Sequence, residues 1–437
     1  MIPCRRFFSG ILMGFILAVI PLSAAAADDY SFDISETEKK DYTFGGYAEF
    51  RPVVAAQDKD AGLYRLKFYK SGGTRAAQEY NSKLQLEGGY QRGISRLYMR
   101  LNSDLNNTYK GWNSGTQVYE GYLSVKPSVS ADIIAGKKVM RWGKGYAWNP
   151  AAFVDRPKNP DDPELPLEGY AGFSADYTKS FEGRLKTITV TPVILPVYRD
   201  FNDSFGVEKH LNFAGKAYFL FYDTDIDLLY RAKGSKPVAY GADFSRNIST
   251  NFEMHGEAAL VADAPQTITD ENGNTARKVF DAKSWLLGLR YQTEINTIYI
   301  AEYYHNGGGF STGAMADYFS FIDAAYDSYT GTGSDALMQK AVKLGNSDYG
   351  AANPMREYLY LRISQQEPFN ILYFTPALTT IINAEDGSFS LTPEILWTRI
   401  TNLELRLKAM FLSGPGGTEF GEKAGDAKAE LRARYYF

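Results

Sequence analysis

Residues 428–437 read KAELRARYYF, and the fold turns on how these side chains alternate. Lys428, Glu430, Arg432, Arg434 and Tyr436 fall on one face of an extended strand, and Ala429, Leu431, Ala433, Tyr435 and Phe437 on the other. A strand of a soluble sandwich alternates too, but four ionisable side chains in a row on one face require a wet interior. The opposite face is apolar and aromatic, which suits lipid. The segment reads as a strand of a closed transmembrane barrel, the β architecture whose backbone groups are all paired inside a bilayer.

The same alternation recurs upstream. Leu403, Leu405, Leu407, Ala409 and Phe411 oppose Asn402, Glu404, Arg406 and Lys408; Leu97, Met99 and Leu101 oppose Arg96, Tyr98, Arg100 and Asn102. Phe252, Met254, Gly256, Ala258 and Leu260 likewise oppose Asn251, Glu253, His255 and Glu257. About eighteen such segments fit between residues 42 and 437, an even number as bacterial barrels require, and sixteen fit if two weak ones are discounted. The predicted fold is all-β: a transmembrane, antiparallel, up-and-down barrel.

Loop lengths sort by parity. Links after even-numbered strands are short, such as 91–93, 127–129 and 223–224. Those after odd-numbered strands include every long one: 53–80, 105–116, 142–168, 196–210, 261–282, 306–355 and 413–426, with only 234–236 and 382–385 short on that side. Short periplasmic turns and long outer loops alternate in this way in barrels of the outer membrane.

Arg5 and Arg6 precede an apolar run from Ile11 to Leu22 that closes in Ala24–Ala27, the pattern of a secretory signal peptide over 1–27. The run is too short to span a bilayer as a helix. A lipoprotein would carry its cysteine just after the apolar run, whereas Cys4, the single cysteine, precedes it; the expected mature chain has no disulfide. Removing Arg5 and Arg6 leaves 45 basic against 51 acidic residues, a net charge of −6 that argues against a nucleic-acid partner. Aromatics make up 15% of the chain, unusual for a soluble domain without cysteine. A short periplasmic tail, 28–41, precedes the barrel at 42–437, and no second domain is seen.

On an alternating strand behind a signal peptide, the ending in Phe437, with Tyr435 two positions before it, resembles the last strand of Gram-negative outer-membrane barrels. The plan of strands and loops resembles the sixteen- to eighteen-stranded porins, across the mature chain but through no diagnostic motif. The resemblance implies integral placement in the outer membrane, contact with its lipid and lipopolysaccharide, and recognition of Tyr435 and Phe437 by the barrel-assembly machinery. It also implies a third outer loop folded inward as a constriction.

That loop, 142–168, holds five prolines, Trp142 and Trp148, and the charges Asp155, Arg156, Asp161, Asp162 and Glu164. Stiff and acidic, it is unlike a flexible surface loop. The constriction reading competes with a lid packed over the rim, or with Trp142 and Trp148 as anchors at the membrane interface. Strands 17, 18, 1 and 3 become neighbours on closure and carry Arg406, Lys408, Arg432, Arg434, Arg51, Arg96 and Arg100 on their polar faces. An acidic loop facing this basic ladder would set a transverse field that favours anions along the wall. Alternatively Glu49, Glu404 and Glu430 neutralise it.

In 306–355, Met315, Tyr318, Phe319, Ile322, Tyr326 and Tyr329 recur at helical spacing, and Ser334 is placed to cap a second helix ending before Gly345. The pair would cap or enter the mouth, or present an aromatic face to a periplasmic or extracellular partner or a second copy.

No enzyme reading gathers a site. His210, His255 and His305 are scattered, and Asp223, Asp225 and Asp227 lack the glycine and final glutamate of a calcium loop. No cofactor or metal is expected. The function the architecture implies is passive diffusion of small hydrophilic solutes, anionic ones among them. Two further classes fit: a scaffold sheathing a partner of a trans-membrane complex such as an electron conduit, and a polysaccharide conduit.

Overall fold

The computed structural model describes residues 40–437; the expected signal peptide and the tail up to residue 39 lie outside the described residues. The described residues form eighteen strands. The first six are β1 (Tyr42–Ala56), β2 (Ala76–Arg92), β3 (Ser95–Thr108), β4 (Gly111–Ser128), β5 (Ala131–Lys138) and β6 (Tyr170–Ser180). Then come β7 (Leu185–Val197), β8 (His210–Phe221), β9 (Thr224–Arg231), β10 (Ala239–Ser249), β11 (Phe252–Thr269) and β12 (Thr275–Gln292). The last six are β13 (Thr297–His305), β14 (Glu357–Gln365), β15 (Phe374–Asn383), β16 (Phe389–Trp397), β17 (Leu403–Ser413) and β18 (Ala427–Tyr436).

Each strand pairs antiparallel with its neighbours in sequence, and β18 returns to β1 with Tyr47 opposite Tyr436 and Val53 opposite Glu430. The sheet closes without an edge. Side chains follow the alternation: Leu407, Phe411 and Leu431 point out and are about half exposed, while Arg406, Lys408, Glu430 and Arg432 point in and are buried. Among the described residues no helix is long and apolar enough to cross a membrane, so crossing falls to the strands.

Three outer connections differ from the sequence expectation. β3 and β4 continue until only Tyr109 and Lys110 separate them, and β11 and β12 until only 270–274 remain, so 105–116 and 261–282 are mostly strand. Within 53–80, β1 and β2 leave 57–75, which holds helix α1 (Gly62–Phe68). The outer part of the β3–β4 hairpin is wetted on both faces, with Gly111–Val118 exposed throughout. A strand end wetted on both sides has no reason to alternate, so its sequence reads as loop. β5, conversely, stops at Lys138, which makes the third loop 139–169.

The long loop 306–356 forms the anticipated helix pair, α2 (Thr312–Thr332) and α3 (Ala336–Gly345). Ser311 caps α2 by accepting the N–H of Ala314, whereas Asp335, not Ser334, holds the cap position of α3. Tyr318, Phe321, Ile322, Ala325, Met338 and Ala341 form the fully buried interior of this pair. Helix α1 docks beside it through the ion pair Lys70–Asp335 at 2.6 Å, the Arg65–Asp323 pair, and edge-on packing of Tyr69 against Tyr329.

Candidate functional site

The third loop does not lie over the rim. It leaves β5, crosses the lumen to β9, β11 and β13, passes β17 and β18, and returns to β6. Its base is tied by Asp155, whose carboxylate accepts the backbone N–H groups of Met140 at 2.7 Å and Trp142 at 2.8 Å. Burial pushes the Asp155 carboxyl upward, more than these donors hold it down.

Two inward-facing glutamates hold the far end. Glu257 on β11 accepts the N–H groups of Lys144 and Gly145, both at 2.6 Å, of Ala151 at 3.1 Å, and the Asn149 side-chain amide at 2.8 Å. Glu302 on β13 accepts the N–H groups of Tyr146 and Ala147 and is bonded to His255 Nε2 at 2.8 Å. Charge-assisted bonds to backbone amides satisfy carboxylates that are otherwise expensive to bury. A side chain at Gly145 would collide with the carbonyl of Trp148, so the close turn there demands glycine. Lys144 pairs with Asp227 on β9 at 3.1 Å; burial opposes its charge, but Asp227 and Asp243 outweigh that and raise its pKa.

The return leg meets the basic wall. Arg432 donates to Asp162 at 2.6 Å, Lys408 to the carbonyl of Asp161, and Arg100 to the carbonyl of Leu167 at 2.8 Å. Glu164 stands 3.7 Å from Arg406, and Glu168 pairs with Arg156 at 3.0 Å and with Lys137. Burial alone would raise the Asp162 pKa, but Arg432, Lys408 and Arg406 together hold it below the usual aspartate range.

This geometry changes the picture of loop and ladder. Asp162 touches Arg432 instead of facing it across water, and Arg434 pairs with Glu49 at 2.7 Å, away from the loop. Arg432 also has Glu430 at 3.5 Å and Glu49 at 3.9 Å; Arg406 has Glu404 and Glu394; Arg100 has Glu120 at 3.1 Å. Much of the ladder is thus paired with carboxylates. Arg96 lies over the Tyr98 ring, and Arg51 shares the inward face of β1 with Glu49. Tyr435 and Phe437 face outward, half exposed.

Neither tryptophan is an anchor at the membrane interface. Trp142 is buried with Phe153, Val154, Val193 and Leu229. Trp148 stacks on Tyr304 with centroids 5.2 Å apart, packs against Tyr358 and Tyr360, and donates to Asn353 of the helical loop at 3.1 Å. Loop and helices therefore share one apolar cluster on the β11–β15 side.

Sequence reading missed the anchors. Glu302, Asp227 and the fastening role of Glu257 stand at ordinary inward positions of their strands, and only the path of the loop makes them partners.

Space remains beside the loop. A cavity of about 530 Å³ is bounded by Lys144, Lys158, Glu164, Glu253, Arg290, Arg362, Glu394 and Arg406; a second, of about 280 Å³, lies against Arg100, Arg141 and residues 163–167.

No family model matches the sequence, and no curated relative matches it. Solved structures do. Pseudomonas aeruginosa OccK2 (OpdF), in complex with glucuronate, matches with a TM-score of 0.53 at 10% identity over 91% of this chain and 96% of that one. OpdQ of the same organism matches at 0.51 and 10% identity over 91% and 99%, and OccK5 (OpdH) at 0.50 and 13% over 90% and 98%. The fold is that of the outer-membrane porins. Within the porin fold, eighteen strands leave an interior too wide for side chains alone to fill, and here one loop of the chain's own crosses it.

Proposed function

We propose that this protein is a diffusion channel of the outer membrane for small hydrophilic solutes. The observation that carries the reading is a closed eighteen-stranded barrel whose lumen, crossed by a fastened loop, keeps a charged cavity of about 530 Å³. A barrel that sheathed another protein would need its centre free for that partner, and here the centre holds residues 139–169.

The cavity wall brings five cations, Lys144, Lys158, Arg290, Arg362 and Arg406, against three carboxylates, Glu164, Glu253 and Glu394. Asp227 and Glu404 stand behind Lys144 and Arg406, so the wall supports only a mild preference for anions, weaker than an unpaired ladder would give. A small carboxylated sugar such as the glucuronate seen in OccK2 belongs to the solute class that suits this wall.

The test is conductance of the purified protein in planar bilayers. Stable open-channel steps, with a reversal potential displaced towards that of the anion in a salt gradient, are expected. Silent bilayers containing folded protein would sink the channel reading and favour the scaffold.

A further inference from the structure

The two cavities on either side of the loop share the side chains of Lys158 and Glu164. Three other carboxylates of the crossing segment are occupied: Asp155 by backbone amides, Asp162 by Arg432, Glu168 by Arg156. Glu164 is more loosely engaged, about half exposed, with Arg406 at 3.7 Å and the Tyr146 hydroxyl at 3.2 Å. Lys158 is held by neutral groups: its ammonium donates to the carbonyls of Gly145 at 2.6 Å and Tyr146 at 3.2 Å. Those same two residues give their N–H groups to Glu257 and Glu302, so Lys158 rides on the most firmly anchored part of the loop.

We infer that the gap between Lys158 and Glu164 is where solute passes from one cavity to the other, and that Lys158 is the charge that selects it. The inference rests on the channel reading. Burial opposes the charge of Lys158, and Glu302, Glu257 and Asp155 favour it from beyond ion-pair contact, so it is less neutralised towards a passing ion than an arginine paired directly with a carboxylate. A firmly anchored backbone also keeps that charge from swinging out of the path.

The test uses the full barrel in planar bilayers at 0.1 M salt, with Lys158→Cys and Glu164→Cys variants in a chain otherwise free of cysteine after signal removal. Each is treated with a negative sulfonate or a positive trimethylammonium methanethiosulfonate reagent. In Lys158→Cys the negative reagent should lower the anion-to-cation permeability ratio and the positive one raise it, by about threefold per unit charge for a charge within ~7 Å of the path. The difference should collapse at 1 M salt, where the Debye length falls to about 3 Å.

If Lys158 only braces the loop, both reagents act alike whatever their sign, and the inference fails. Unchanged current after modification of a conducting variant overturns it too, by placing the path elsewhere. Should Lys158→Cys fail to fold, Glu164→Cys at the more exposed partner must show the same opposite shifts, and their absence is decisive against the inference. A wild-type protein that does not conduct overturns the channel reading itself, an outcome distinct from a conducting barrel indifferent to reagent sign.

Discussion

Glu302 shows what one inward-facing carboxylate does in this barrel. It is fully buried, and it accepts two loop amides and a bond with His255. Glu302→Gln replaces one acceptor oxygen with a donor that faces other donors, so loop docking should weaken by about 2–3 kcal/mol. Protease cleavage within 142–168 should speed up while the barrel keeps its heat-modifiable mobility on gels; unchanged cleavage would show that Glu302 is not an anchor. Asp162 adds a pH dependence whose sign follows from its lowered pKa. Its contribution to docking is complete above the ordinary aspartate value of about 4 and disappears as pH falls through the lowered one. Acid should therefore loosen the wild-type loop, and in Asp162→Asn this part of the acid response should be missing, with a looser loop already at neutral pH. An identical acid profile in both would exclude the Asp162–Arg432 contact as its source.

At the scale of elements, the helix pair α2–α3 behaves as a small folded unit set on the outer ends of β11–β15. Met315, Tyr318, Phe319 and Ile322 repeat at helical spacing because they share one buried stripe, while Asp317, Asp323 and Asp327 do not join it. Truncation of Ile322 to Ala removes a fully buried side chain and should cost about 3 kcal/mol. Hydrogen exchange over 312–345 should quicken by roughly two orders of magnitude, while β2–β8 stay protected. Because Trp148 joins the same cluster, exchange at 145–149 should also rise. Equal quickening in all strands would mean that lid and barrel unfold as one.

For the whole molecule, the alternation of short and long connections fixes which end faces the cell. Val129, in the turn between β4 and β5, and Thr330, near the end of α2, are both exposed and stand on connections of opposite parity. In intact cells a cysteine at Thr330 should react with an impermeant reagent from outside, and one at Val129 only once the periplasm is opened. The reverse labelling would overturn the topology.

Strand number, closure and facing were legible from sequence because each depends on a local property. A segment with lipid on one side and water on the other must alternate, and 428–437 does so whichever strand lies beside it. The helical stripe of 315–329 was legible for the same reason. Strand ends above the membrane were not, since water on both faces removes the alternation. Nor were the partners of the crossing loop: Tyr146 meets Glu302 across 156 residues, and Asp162 meets Arg432 across 270. The acidic loop and the basic wall were visible as compositions, but whether they would touch or face each other across water, and which carboxylates would receive the loop's amides, depended on its path through the lumen. That path is set by non-local bonds between buried groups, and a carboxylate that fastens a loop has the same sequence signature as one that merely lines a pore.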